Sequence, residues 1–223
     1  MPRTVLLATH NRKKLIELER IVASVAELEL VTLDDVDRYP AVAYPEPVET
    51  GATFAENALI KAREGARVTG LITIADDSGL CVDALYGAPG VFSARWAGRH
   101  GDDDANLELL LAQLTDVPDE RRTAAFVCAA ALVIPVGTTS AGPADGTPAE
   151  QVEHGRLSGD LLRARRGDGG FGYDPIFVPT GQKQTTAELS ASDKDRISHR
   201  GQAFRALAPA LAALPGVYRR VSR

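Results

Sequence analysis

The chain has 223 residues, 44% of them apolar and 25% charged, with a formal net charge of −5 at pH 7. That length supports one large domain or two closely joined lobes around a substantial core, and the composition favours neither a disordered nor a membrane class. The negative balance argues against wide contact with a nucleic-acid backbone, although a local pocket of Lys and Arg can hold a small anion inside an acidic protein.

No apolar run approaches the roughly 20 residues of a membrane-spanning helix, and no basic, apolar leader precedes the first strand, so a cytoplasmic protein without membrane contact is expected. Cys81 and Cys128 both sit among apolar neighbours and lack ligand spacing, which suggests reduced, buried thiols.

Thr4 to Thr9 is apolar and β-prone and reads as a first, buried strand. Asn11 then caps a helix to about Val25, with Leu15, Leu18, Val22 and Val25 at helical spacing. The connection Thr9-His10-Asn11-Arg12-Lys13-Lys14 joins a helix start to three basic side chains, which suits a phosphate cradle. It suits a solvated helix start equally well, and it lacks the glycines of a P-loop.

Residues 34 to 49 carry three prolines and many acids and read as an exposed loop. Thr53 and Glu56 form a capping-box pair opening a helix with Phe54, Ala58, Ala62 and Ala66 on one face, stopped by Gly70. Asn57 and Lys61 share another face, either the wet side of the helix or a side turned to a ligand.

Leu71 to Leu80 reads as a buried strand that ends in Asp76-Asp77-Ser78-Gly79, at the edge of a sheet where open α/β folds bind ligands. Alone, the two acids are also what a turn with an Asx cap looks like. A short strand over Leu80 to Leu85 and a turn at Gly87-Ala88-Pro89-Gly90 follow. Asp102 to Asp104 start a helix with a stripe of Leu107, Leu110, Leu111 and Leu114, and Thr123 to Ile134 reads as a central strand covered on both faces.

Gly137 to Ala149 has no periodicity and reads as a flexible hairpin tip, after which Gln151 to Leu162 reads as a strand pair broken around Gly155-Arg156 and Ser158-Gly159. In Gly169-Gly170-Phe171-Gly172-Tyr173-Asp174, glycines beside an aromatic let the backbone approach a flat ligand on which Phe171 or Tyr173 would stack; a Gly-rich turn with an anchoring aromatic is the plainer reading. Ile176 to Val178 is a short strand. Ser190 to Arg200 is strongly charged, and a last helix from about Gln202 to Leu214 packs through Ala203, Leu207, Leu211 and Leu214.

Side by side, several stretches carry a family resemblance: Ala8-Thr9-His10-Asn11 with Lys14, Glu49-Thr50-Gly51-Ala52-Thr53-Phe54 with Lys61, Ala75-Asp76-Asp77-Ser78-Gly79-Leu80, Gly169 to Pro175, and Ile197-Ser198-His199-Arg200-Gly201. In this order, over nearly the whole chain, they resemble the inosine/xanthosine triphosphate pyrophosphatases, which hydrolyse deaminated purine nucleoside triphosphates. The chain departs from that pattern at Lys13, where the family often has glycine, and at Gly137 to Ala149, which looks longer than the usual hairpin.

The resemblance implies an α/β fold in which an elongated central mixed β-sheet is flanked by helices. Residues 1–223 would form a single domain of two lobes with the nucleotide cleft between them. It implies Mg²⁺-dependent cleavage between the α and β phosphates of ITP, dITP and XTP, in a homodimer. Glu49, Asp76 and Asp77 would hold the Mg²⁺, and Asp77 would act as base toward the attacking water. Thr9, His10, Asn11, Arg12, Lys13, Lys14, Lys61 and Ser78 would hold the triphosphate. Phe171 would stack on the purine, with Gly172 and Tyr173 beside it, and Asp174, Lys194, His199 and Arg200 would read its edges. Two other readings stay open: a related pyrophosphatase for pyrimidine or modified nucleotides, which would lack the Ser198-His199-Arg200 segment, and a nucleotide-binding regulator without turnover.

Overall fold

The computed structural model describes residues 3–25, 28–33, 47–137 and 147–214. Most of the loop expected over 34–49 and of the hairpin tip expected over 137–149 lies outside them. Strand β1 (Arg3–Leu7) buries Val5, Leu6 and Leu7 completely. Helix α1 (Arg12–Val25) turns Leu18, Ile21 and Val22 inward. Strand β2 (Leu28–Thr32), absent from the sequence reading, pairs in parallel with β1, Val5 standing opposite Leu30.

Helix α2 (Phe54–Thr69) opens on the expected capping box and closes at Gly70, which takes the left-handed conformation with φ 68° that favours glycine. Its buried residues Ala58, Ala62 and Ala66 meet Ala8, Ala75, Ala129 and Ala131. Side chains this small let a helix lie close on a sheet.

Strand β3 (Ile72–Val82) corrects an expectation. It does not end at Asp76 but continues through Asp77-Ser78-Gly79, and the separate strand expected over Leu80 to Leu85 is its last part followed by a 3-10 turn, Asp83–Leu85. The parallel ladder with β1 runs only from Val5 opposite Ile72 to Leu7 opposite Ile74. On its other side β3, of 11 residues, neighbours β4 (Thr123–Ile134), of 12 residues. The two aspartates therefore lie beyond the carboxyl end of β1 but inside β3.

Strand β4 keeps its expected bounds. Strand β5 (Ala149–Leu161) is one continuous strand where a broken pair was expected, because its glycines mark close approaches and not turns. A methyl on Gly155 would overlap the carbonyl oxygen of His199, and one on Gly159 the carbonyl oxygen of Val178. Strand β6 (Phe177–Pro179) pairs antiparallel with β5, which completes a mixed sheet of order β2-β1-β3-β4-β5-β6. Helix α3 (Asp103–Gln113) is capped by Asp102, whose carboxylate accepts from the Ala105 amide. The charged segment before Gly201 folds as helix α4 (Ala191–Ile197) and the first turn of α5 (His199–Ala213), so the last helix begins earlier than Gln202.

The chain forms two compact units, one of Met1–Asp76, Ala129–Glu153 and Phe204–Arg223, the other of Asp77–Cys128 and His154–Ala203. The core of the second is built from Leu80, Leu107, Leu110, Leu114, Ile176 and Phe177.

Candidate active site

In the first unit the chain leaves β1 at Ala8, whose amide donates to Ile74 O at 2.9 Å. Asn11 caps α1 as expected: its side-chain oxygen accepts from the Lys14 amide at 3.1 Å, and its own amide donates to Thr9 Oγ1 at 3.2 Å. This capped turn exposes His10, Arg12 and Lys13 while Lys14 points back to the sheet, its Nζ 3.5 Å from Asp76 Oδ2. Asp76 is only 2% exposed.

A second ion pair joins α2 to the segment before it, with Lys61 Nζ donating to Glu49 Oε1 at 2.8 Å. Here the sequence reading of Asn57 is overturned. Asn57 is fully buried and accepts from the Gly51 amide at 2.8 Å, while Glu56 accepts from Ala52 and Thr53. The first turn of α2 thus clamps residues 51 to 53. Asn57 shapes the backbone that leads from Glu49, and only Lys61 of the pair carries charge there.

In the second unit Asp77, 6% exposed, accepts from the Ser78 amide at 2.9 Å. Ser78 Oγ in turn accepts from Arg200 Nη2 at 2.8 Å. The Arg200 guanidinium lies 5.1 Å from the centre of the Phe171 ring, and Lys194 Nζ lies 5.0 Å from the same ring. A half-buried aromatic with two cations beside it is an electropositive platform for a flat, oxygen-rich ligand.

Asp174 is placed differently from expectation. It is buried, and both oxygens are engaged: Oδ2 accepts from the Phe171 amide at 2.8 Å and Lys194 Nζ at 2.6 Å, and Oδ1 accepts from Thr186 Oγ1 at 2.7 Å. It stands behind Phe171 and Lys194 as their support. Gly170, with φ 70°, must be glycine, since a methyl there would overlap Asp174 Oδ2.

Tyr173 has a buried side chain. Its ring belongs to the core and its hydroxyl donates to Ser93 O at 2.9 Å. Burial, and after it the charge of Asp103, push its phenol well above the usual range, so it stays a neutral donor. His199 is buried with its ring stacked on Phe126, centroids 4.9 Å apart and planes 12° from parallel. Gly172, with φ 60°, has open space beside it. Thr186 and the clamp of Asn57 on Gly51 escaped the sequence reading, because each acts through a bond that no local spacing announces.

The three carboxylates expected around one Mg²⁺ are not a preformed cage: among the described residues no group of three His, Cys, Asp or Glu side chains gathers around one point. Mg²⁺ nevertheless suits these donors, since it is held typically by one or two carboxylates plus substrate phosphates and not by an all-protein cage. The lysines on buried Asp76 and half-buried Glu49 show that these carboxylates already neutralise a cation.

Residues 5–210 match the model of the Ham1 family. The chain is 54% identical over 220 residues to the dITP/XTP pyrophosphatase of Corynebacterium efficiens, covering 95% of this chain and 99% of the relative. It is 58% identical over 212 residues to the dITP/XTP pyrophosphatase of Nocardia farcinica, covering 94% and 95%. Among solved structures, a Ham1 protein of Coxiella burnetii superposes with a TM-score of 0.78 at 38% identity, covering 94% of this chain and 98% of that one. The nucleoside-triphosphatase / dITP/XTP pyrophosphatase of Mycobacterium abscessus gives 0.67 at 53% identity, covering 92% and 99%. With a family model spanning nearly the whole chain and relatives of this identity, the chain belongs to the Ham1 family.

Proposed function

We propose that this chain hydrolyses the deaminated purine nucleoside triphosphates ITP, dITP and XTP to the monophosphate and pyrophosphate. The observation that carries the reading is the Phe171 platform with Lys194 and Arg200 beside it, in a chain 54% identical to a dITP/XTP pyrophosphatase. Hypoxanthine and xanthine present an acceptor oxygen at position 6, where adenine presents an amino donor. Lys194, Arg200 and the nitrogens of His199 supply donors. A donor hydrogen that one of these groups turns toward position 6 meets no acceptor in adenine's amino group, at a cost of about 1–3 kcal/mol.

Phosphoryl transfer needs little covalent help from a protein; it needs positioning and charge neutralisation. The turn from Thr9 to Lys14 offers helix-start amides and basic side chains, and Lys61 and Ser78 add a cation and a hydroxyl. When a triphosphate arrives, Lys14 and Lys61 exchange Asp76 and Glu49 for phosphate oxygens. One or two of the carboxylates Asp77, Glu49 and Asp76, with Asp77 first among them, would hold Mg²⁺, which would supply neutralisation of the phosphate oxygens. Asp77 accepts the proton of the water whose oxygen bonds to the α phosphorus, as the bond from that phosphorus to the α–β bridging oxygen breaks and the bridging oxygen leaves with pyrophosphate. The homodimer and the cytoplasmic location implied by the family resemblance belong to this reading, and sedimentation would check the first.

Product identification tests the proposal. ITP with Mg²⁺ followed by phosphorus NMR should give IMP and pyrophosphate. IDP and inorganic phosphate would contradict cleavage at the α–β bond, and tight ITP binding without turnover would favour a regulator.

A further inference from the structure

Thr186 is 2% exposed and lies in the turn after β6. Its amide donates to Phe177 O at 2.9 Å, which fixes its backbone to the end of the sheet. Its hydroxyl is 2.7 Å from Asp174 Oδ1 and 3.2 Å from Asp174 O, the shorter contact going to the carboxylate. Asp174 Oδ2 then meets both Lys194 Nζ at 2.6 Å and the Phe171 amide at 2.8 Å. A carboxylate can rotate about its last bond, and one bond at Oδ1 sets where Oδ2 points. The two groups held by Oδ2 are the cation and the aromatic assigned above to the base.

We propose that Thr186 is a positioning residue of the nucleotide site. It fixes the rotation of Asp174, and through Asp174 it fixes Lys194 over Phe171. This rests on the reading of Phe171 and Lys194 as the base platform. A hydroxyl that merely satisfied a buried acid would affect stability alone; one that positions Lys194 affects substrate affinity.

The experiment compares Thr186→Val, which keeps the shape and removes the hydroxyl, with Thr186→Ser, which keeps the hydroxyl. Kinetics with ITP and acylation of lysines followed by mass spectrometry are measured on each, with exposed Lys183 as the internal reference. The expected result for Thr186→Val is a KM about tenfold higher, the scale of one lost hydrogen bond, at little change in kcat. Lys194 should be acylated faster than in the wild type, and Thr186→Ser should restore both. Wild-type KM and wild-type labelling of Lys194 in Thr186→Val, whatever its melting temperature, would overturn the proposal. Should Thr186→Val not fold, Thr186→Cys, a far weaker donor of similar size, is read in its place. If the wild type fails to hydrolyse ITP, the proposed activity falls, while the labelling still decides whether Thr186 positions Lys194.

Discussion

Aspartate and asparagine share a shape, so Asp77→Asn removes the proton acceptor and the carboxylate charge toward Mg²⁺ together while keeping the fold. Its neighbour contact, acceptance from the Ser78 amide, survives in the amide through its oxygen. Turnover of ITP should fall by roughly 10²–10⁴-fold, the usual contribution of a general base, with ITP affinity by calorimetry largely kept. Activity within about tenfold of the wild type would remove Asp77 from that role. His199 needs a different substitution, because alanine would remove its stacking on Phe126 together with its nitrogens. His199→Phe keeps an aromatic there and removes only the donors. It should narrow the preference for ITP over ATP by about tenfold while leaving the urea midpoint near that of the wild type, and an unchanged ratio would move base reading to Lys194 and Arg200.

At the scale of elements, the start of α5 is set by how close β5 lets it come. Gly155 faces the His199 carbonyl and the Ala203 amide, so Gly155→Ala forces strand and helix apart. Overpacking of this kind costs typically about 1–3 kcal/mol, measurable by urea unfolding, and it should raise the KM for ITP because His199 and Arg200 move with the helix. A stability and KM equal to the wild type would show that the contact is not limiting. The same strand shows what was legible. β4 was read to its last residue because an unbroken apolar run has one interpretation, and α2 because its caps are local. In β5 the glycines looked like turns, since a close approach by a distant helix leaves no mark in the neighbouring residues. In β3 the polar run Asp76-Asp77-Ser78 looked like a strand end, because pairing with β4 is a long-range fact. The capping turn at Asn11 was legible as a motif, and Lys194 and Arg200 were placed with Phe171 only by the family resemblance. The engagement of Asp174 by Thr186 was not, because it depends on two segments meeting in space.

For the molecule as a whole, 30 acidic against 25 basic side chains leave little attraction for a polyanion, yet each unit holds cations close to buried or half-buried polar groups: Lys14 and Lys61 in one, Lys194 and Arg200 in the other. Affinity for a small anion is then local. Duplex DNA added to the assay should leave the KM for ITP unchanged, and competitive inhibition by DNA would contradict this. The central claim is that a purine is chosen by the group at its position 6, and the most direct measurement is kcat/KM for ITP against ATP under one Mg²⁺ concentration. Mismatched donors at about 1–3 kcal/mol each predict a preference for ITP of at least about a hundredfold, and equal values for the two nucleotides would contradict the account.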